Sequence, residues 1–227
     1  MKPIFAGALL AVTIFLNVTY AQNSGSVTLD FESPVKTLGQ KESFLFEGVK
    51  VYYPEGWRVR KAKATEGVVI EGPFAYSAYG RYGRFGIVVG KDLHPDIDVD
   101  TFAALVKQQL EEKNRAAFLE ARTNVTLKDG EKLQFDVDDV GKVSMNKVLR
   151  DGITTYAFKV ASRNKMNGEV FDNVTASMFF VVDSWRYTVS ITYPQSESNR
   201  FEEFAQWVID HVEIETEKIG NKIKSTE

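Results

Sequence analysis

Between residues 183 and 214 the spacing of apolar and polar positions changes period once. Trp185, Tyr187, Val189, Ile191 and Tyr193 alternate with Arg186, Thr188, Ser190 and Thr192, the period of two that gives a strand one apolar face. The alternate face is polar and rich in β-branched residues, as expected of an antiparallel sheet face turned towards water. Pro194 cannot donate to a ladder, so the strand is expected to end there. Phe201, Phe204, Ala205, Val208 and Val212 then fall in one stripe at helical spacing. Ser198 or Asn199 would cap this helix, with Glu202 in a capping-box relation to Asn199. A strand and a helix with one apolar face each bury them most simply against each other.

The same reading extends upstream. Phe44 to Tyr53 (FLFEGVKVYY) predicts a hairpin turning at Glu47-Gly48 and stopping at Pro54-Glu55-Gly56-Trp57. A basic run, RVRKAKATEG, precedes a short strand, GVVIEG. A segment mixing tyrosine, glycine and arginine leads from there to the apolar strand Ile87 to Val89. His94-Pro95 ends that unit. Asp98 or Asp100 then caps a helix over 100–117 with Phe102, Leu105, Val106 and Leu110 as its stripe. From Thr123 onward strands alternate with tight turns. Asp129-Gly130, Asp151-Gly152, Asn167-Gly168 and Asp183-Ser184 mark the reversals, and Gly141 suggests one more after Asp138-Asp139. The result is a meander of about six antiparallel strands closed by the C-terminal helix.

The first residues change where this domain is placed. MKPIFAGALLAVTIFLNVTYAQ combines Lys2, an apolar run from Pro3 to Leu16 and small residues at Thr19 and Ala21, the layout of a secretory signal peptide cut after Ala21. A retained N-terminal anchor is the alternative. The run is short for a membrane span, so no span is expected once the segment is removed. Residues 22–43 form a lead-in with a candidate edge strand at Val27, Leu29 and Phe31. A single domain then covers 44–217, and 218–227 is a charged tail. A formal charge of −3 argues against a nucleic-acid binder. The absence of cysteine rules out disulfides, thiolate metal sites and cysteine nucleophiles. It also favours a bacterial exported protein, periplasmic or extracellular, over a eukaryotic secreted domain.

Candidate chemistry is sparse. The segment 74–86 holds the best binding candidates, Tyr76, Tyr79, Arg81, Tyr82 and Arg84. Tyrosine offers a flat amphipathic face and arginine a forked donor for carboxylate or phosphate. The competing reading is a twisted hairpin whose tyrosines pack on the sheet. Arg58, Arg60, Lys61 and Lys63 would extend this into a basic patch, or simply guard a strand edge. His94, Asp96, Asp98 and Asp100 suggest a calcium loop, but Thr101 stands where the loop needs glycine and Lys107 where it needs glutamate. Asp136 and Asp138 are expected to face solvent, and His211 to cap the last helix. No hydrolase, zinc-protease or phosphate-loop motif is present. Neither a metal nor a cofactor is called for, and the chain does not read as an enzyme.

The elements in this order resemble the PsbP-like family, whose fold a Ran-binding nuclear-import factor shares. The resemblance rests on Tyr53-Pro54-Glu55-Gly56-Trp57, the helix at 100–117 and the antiparallel meander. Arg186-Tyr187…Tyr193-Pro194, followed by Phe201, Phe204 and Val208, adds to it. It covers residues 44–214 and implies an α+β fold, a central antiparallel sheet with helices packed on it. The family implies a non-catalytic binding or assembly module. No position here matches its metal-associated or GTPase-contacting residues, so neither a photosynthetic role nor Ran binding is carried over. The expected function is an exported accessory domain of the cell envelope that engages a protein partner through residues 76–85, aided by the sheet face near Arg186. Two alternatives stand beside it: a binder of an anionic or carbohydrate ligand using the same segment, and an enzyme with a dispersed active site.

Overall fold

A computed structural model describes residues 41–62, 66–75, 84–111, 125–126, 132–133, 135–166 and 169–220. The hairpin expected at Glu47-Gly48 is present. β1 (Lys41–Phe46) pairs antiparallel with β2 (Val49–Pro54), and both turn residues take positive φ, as a two-residue hairpin of this hand requires. Gly48 is tightly constrained, because a Cβ there would lie 2.3 Å from Ile219 Cγ1 and 2.8 Å from the Glu215 carbonyl. Trp57 folds back beneath the Pro54 turn, its N–H reaching the Pro54 carbonyl at 3.4 Å.

β3 (Arg58–Lys61), β4 (Glu66–Ala75) and β5 (Arg84–Leu93) follow, and then helix α1 (Val99–Glu111). β6 (Val125–Thr126) and β7 (Lys132–Leu133) pair with each other. Four long strands come next: β8 (Phe135–Arg150), β9 (Ile153–Met166), β10 (Glu169–Val182) and β11 (Trp185–Pro194). A 3-10 turn (Gln195–Glu197) leads into α2 (Ser198–Asp210), and β12 (Glu213–Ile214) and α3 (Thr216–Gly220) close the described chain.

The fold is α+β and its main sheet is antiparallel, with seven strands in the order β3-β4-β5-β11-β10-β9-β8. The expected meander supplies β8 to β11 as sequential neighbours in this sheet, while β6 and β7 pair apart from it, and β5, from before α1, is the partner of β11. The expected reversal at Gly141 does not occur. The chain runs through as one strand, absorbing the irregularity in two register shifts against β9, at Val137/Asp139 and Val140/Val143. Bulges let a strand lose a residue from its register without ending. A second sheet, β1-β2-β12, stands beside the first.

One face of the main sheet behaves as predicted. Tyr187, Val189, Ile191 and Tyr193 join Met178, Phe180, Ile87 and Ile70 in a core covered by Phe201, Phe204, Ala205 and Val208 of α2. The helix cap differs. Glu197 occupies the N-cap position with no side-chain capping bond, because the 3-10 turn already bends the chain, and Glu202 pairs with Lys159 instead.

The opposite face is not the water-facing one the alternation implied. Arg186, Thr188 and Ser190 are all buried, and α1 lays Phe102, Ala103 and Val106 against Val143, Phe158, Val160 and Phe179 of that face. Hydroxyls survive inside because they satisfy one another across the strands. Ser177 and Ser190 Oγ lie 2.6 Å apart, and Thr175 and Thr192 Oγ1 2.9 Å apart, so these four hydroxyls do not carry the desolvation cost of burial alone.

Candidate functional site

Of the sequence-derived candidates, Tyr76, Tyr79, Arg81 and Tyr82 lie outside the described residues. Arg84 opens β5, but its side chain also falls outside the description. What is described is the stem that brackets them. Ala75 pairs with Arg84 beyond a register shift that follows Glu71, and Glu66 to Glu71 pair in unbroken register with Gly86 to Lys91. Ile70 and Ile87 anchor one side of this stem in the main core, and Val69 and Val88 pack with Ala62 on the other. Glycine serves close backbone approach here: a Cβ on Gly67 would lie 2.3 Å from the Val89 carbonyl.

The basic run does not act as one patch. Arg60 Nε is 2.5 Å from Glu71 Oε1 across the β3–β4 ladder, so its charge is used within the sheet. Arg58 and Lys61 are exposed on β3, which among the described strands is one of the two edges of the main sheet, a placement suited to keeping that edge from pairing with other chains. Lys63 is outside the described residues.

Arg186 requires a correction. Expected on an outward polar face, it is 1% exposed. Its Nη2 donates to Asp92 Oδ2 at 2.9 Å, and its guanidinium carbon sits 5.2 Å from the centre of the Phe102 ring. It therefore fastens α1 to the sheet, and no partner could reach it on this face. His94 is its neighbour around the same ring, edge-on to Phe102 at 5.0 Å. The Asp98 of the failed calcium pattern is a helix cap, accepting from the Thr101 N–H at 2.8 Å and the Thr101 hydroxyl at 2.5 Å. Those bonds hold its carboxyl below the ordinary carboxylate range. Asp100 is pulled down likewise by Lys147, at 2.6 Å, and by the Tyr156 hydroxyl, at 2.7 Å. Among the described residues, no three His, Asp or Glu side chains are grouped to hold a metal. The carboxylates of Asp136 and Asp138 lie outside the described side chains.

A surface cluster escaped the sequence reading. Lys41 Nζ stands 4.9 Å from the Tyr52 ring centre and 5.9 Å from that of Trp207. Trp207 stacks on His211 with centroids 4.5 Å apart. Tyr52 donates to Glu213 Oε1 at 2.6 Å and Lys50 pairs with Glu213 Oε2 at 3.0 Å. The Tyr52 hydroxyl and the Glu213 carboxylate together raise the Lys50 ammonium above its ordinary value. Trp207 and His211 are four residues apart, one helical turn, and that spacing was the available clue. Trp207 is engaged by both His211 and Lys41, so the cluster works as a clasp between β1, β2, β12 and the end of α2. His211 takes the expected capping place, its backbone N–H bonding the Trp207 and Val208 carbonyls.

Together the sheet order, the two covered faces and the closing helix define an α+β domain built on a central antiparallel sheet. No family model matches the chain, and no curated protein matches it. Among solved structures it is similar to cyanobacterial PsbP from Synechocystis, with TM-score 0.45 and 11% identity over 85% of this chain and 98% of that one. It is also similar to LpqN of Mycobacterium tuberculosis, described as involved in cell envelope biogenesis, with TM-score 0.42 and 13% identity over 78% of this chain and 91% of that one. A Pseudomonas aeruginosa protein of unknown function, PA94, gives TM-score 0.39 and 10% identity over 76% and 96%. Among the described residues, no helix is long and apolar enough to cross a membrane.

Proposed function

We propose that this protein is an exported, non-catalytic accessory domain of the cell envelope. It binds a protein partner through the segment Tyr76, Tyr79, Arg81, Tyr82 and Arg84. In this reading residues 1–21 direct export and are removed, and the domain that opens with β1 and closes with α3 does the binding. One observation carries the proposal: Ala75 pairs with Arg84, so the eight intervening residues, three tyrosines and an arginine among them, join two strands held on both sides by buried residues. Binding residues sit disproportionately on connections positioned by a rigid scaffold, and Tyr and Arg are the side chains that most often anchor interfaces.

The other charged groups of interest are less suited to partner binding. Arg60, Arg186, Asp92 and Glu213 are engaged within the domain. The test is a Tyr79→Ala/Arg81→Ala double variant of the mature chain. It is expected to melt like the wild type and to lose its envelope partner. Unfolding of that variant would show that the segment instead packs on the sheet. A folded wild type that captures no protein but is stabilised by an anionic or carbohydrate ligand would replace the partner with a small molecule.

A further inference from the structure

The turn between β5 and α1 is organised around one imidazole. His94 is 8% exposed. Its backbone N–H donates to the Ser184 carbonyl at 2.8 Å, tying it to the β10–β11 turn. Its ring Nε2 lies 3.0 Å from the Ile97 carbonyl. A carbonyl can only accept, so Nε2 carries the proton and Nδ1 presents a bare lone pair. That Nδ1 is buried and has no hydrogen-bond partner. The charged groups around the ring are Arg186 from β11, Asp92 from β5, which is bonded to that arginine, and Asp98 at the entry to α1.

This arrangement accepts a neutral histidine and rejects a charged one. A proton on Nδ1 would create a donor with no acceptor, in a buried place, with a second cation beside Arg186. Burial and the Arg186 charge push the imidazole below its ordinary range, and the Ile97 carbonyl and Asp98 only partly oppose them. The strain has a natural outlet. Residues 94–98 lead directly into α1, and α1 is held to the sheet by Phe102 and Val106, by Arg186 against Phe102, and by the Asp100 links to Lys147 and Tyr156.

We propose that His94 is an acid-operated latch: its protonation withdraws the 94–98 turn and lifts α1 from the sheet, uncovering the apolar face formed by Phe102, Val106, Phe158 and Phe179. The sign follows from linkage. The unfolded or opened form binds the proton more readily, so closure is fully favoured above the ordinary histidine value of about 6.5 and weakens as pH falls below it. Each pH unit by which the closed form titrates lower raises the opening equilibrium about tenfold at acid pH.

The test uses the whole protein. With two histidines in the chain, imidazole NMR from pH 4 to 8 gives two titrations, and His94 is identified by its contacts to Phe102. Hydrogen exchange, corrected for intrinsic rates, is followed at pH 7 and pH 5 on α1 and on β10 and β11. The expected result is an Nε2–H tautomer at neutral pH with a midpoint below the ordinary histidine value of about 6.5. Exchange in α1 should accelerate between the two pH values, by at most about 25-fold for a group whose ordinary value is about 6.5, with β10 and β11 lagging, and His94→Gln should abolish the difference. A normal midpoint, an α1 that exchanges no faster at pH 5, or an acceleration that persists in His94→Gln would each overturn the proposal. If His94→Gln does not fold, the wild-type midpoint and the α1 exchange decide the matter.

Discussion

Truncating Arg186 separates its two contributions to the interior. The side chain is 1% exposed, pairs with Asp92 and lies over Phe102. Arg186→Ala removes both the charge and the packing, leaving a cavity beside Phe102 and a carboxylate without its cation. Because Asp92 is partly exposed and can regain water, the loss is mostly packing, about 3–5 kcal/mol for truncating a large buried side chain. At about 2–4 °C per kcal/mol for a chain of this size, melting should fall by about 6–20 °C. Arg186→Met keeps an unbranched apolar stem against Phe102. Asp92 is 25% exposed and can regain water, so this variant should lose less than about 2 kcal/mol. Urea unfolding followed by circular dichroism gives both values from the midpoint, provided the slope is unchanged. In Arg186→Met the His94 imidazole should also titrate higher than in wild type, since a neighbouring cation has been removed. An Ala variant within about 1 kcal/mol of wild type would refute burial of the guanidinium. A Met variant as costly as Ala would refute the split between charge and packing.

The remaining predictions concern the core, the turns and the hydroxyl row. Phe204→Ala removes a fully buried ring 5.4 Å from Trp57 and should cost about 3–5 kcal/mol by denaturant unfolding. Trp185 is only half-buried and has Lys91 4.5 Å from its ring centre, so Trp185→Ala should cost about half as much; equal losses would mean that the sheet end is as dry as its centre. Gly48→Ala should destabilise clearly more than Gly152→Ala in thermal melts. Both have positive φ, but only Gly48 has Ile219 and Glu215 where the Cβ would go, and equal shifts would show that α3 does not press on the hairpin. Ser177→Ala leaves the Ser190 hydroxyl without its 2.6 Å partner and should cost about 1–3 kcal/mol. Pairing it with Ser190→Ala should recover part of that loss, and a double variant as costly as the sum would contradict mutual satisfaction.

Local pattern carried the fold where one physical rule decided the outcome. The alternation from Trp185 to Tyr193 and the stripe from Phe201 to Val208 identified a strand and a helix that pack together, because burial of one face fixes each period. Glu47-Gly48, Asp151-Gly152 and Asp183-Ser184 were legible as reversals for a steric reason: all six residues have positive φ. Gly141 misled because a bulged strand tolerates glycine as readily as a turn does. The β5–β11 neighbourhood was invisible, since nothing local encodes which distant strand lies alongside. That same long-range pairing hid the burial of Arg186, because its cover, Phe102 of α1, and its counter-ion, Asp92 of β5, come from 84 and 94 residues away in sequence. Polarity suggested a wet face, whereas cross-strand hydroxyl pairs and one ion pair made it a dry one. The clasp of Lys41, Tyr52 and Trp207 joins elements from both ends of the domain and was equally out of reach.

The central claim is that residues 76–84 meet a protein partner in the envelope, and site-directed photocrosslinking tests it most directly. A photoreactive amino acid replaces Tyr79 in one variant and Glu203, exposed on α2, in another. Each is irradiated in intact cells of the native host. The account predicts one dominant protein adduct from position 79 that disappears when Arg81→Ala is added, with none from position 203. No adduct from position 79, or the same adducts from both positions, would contradict it.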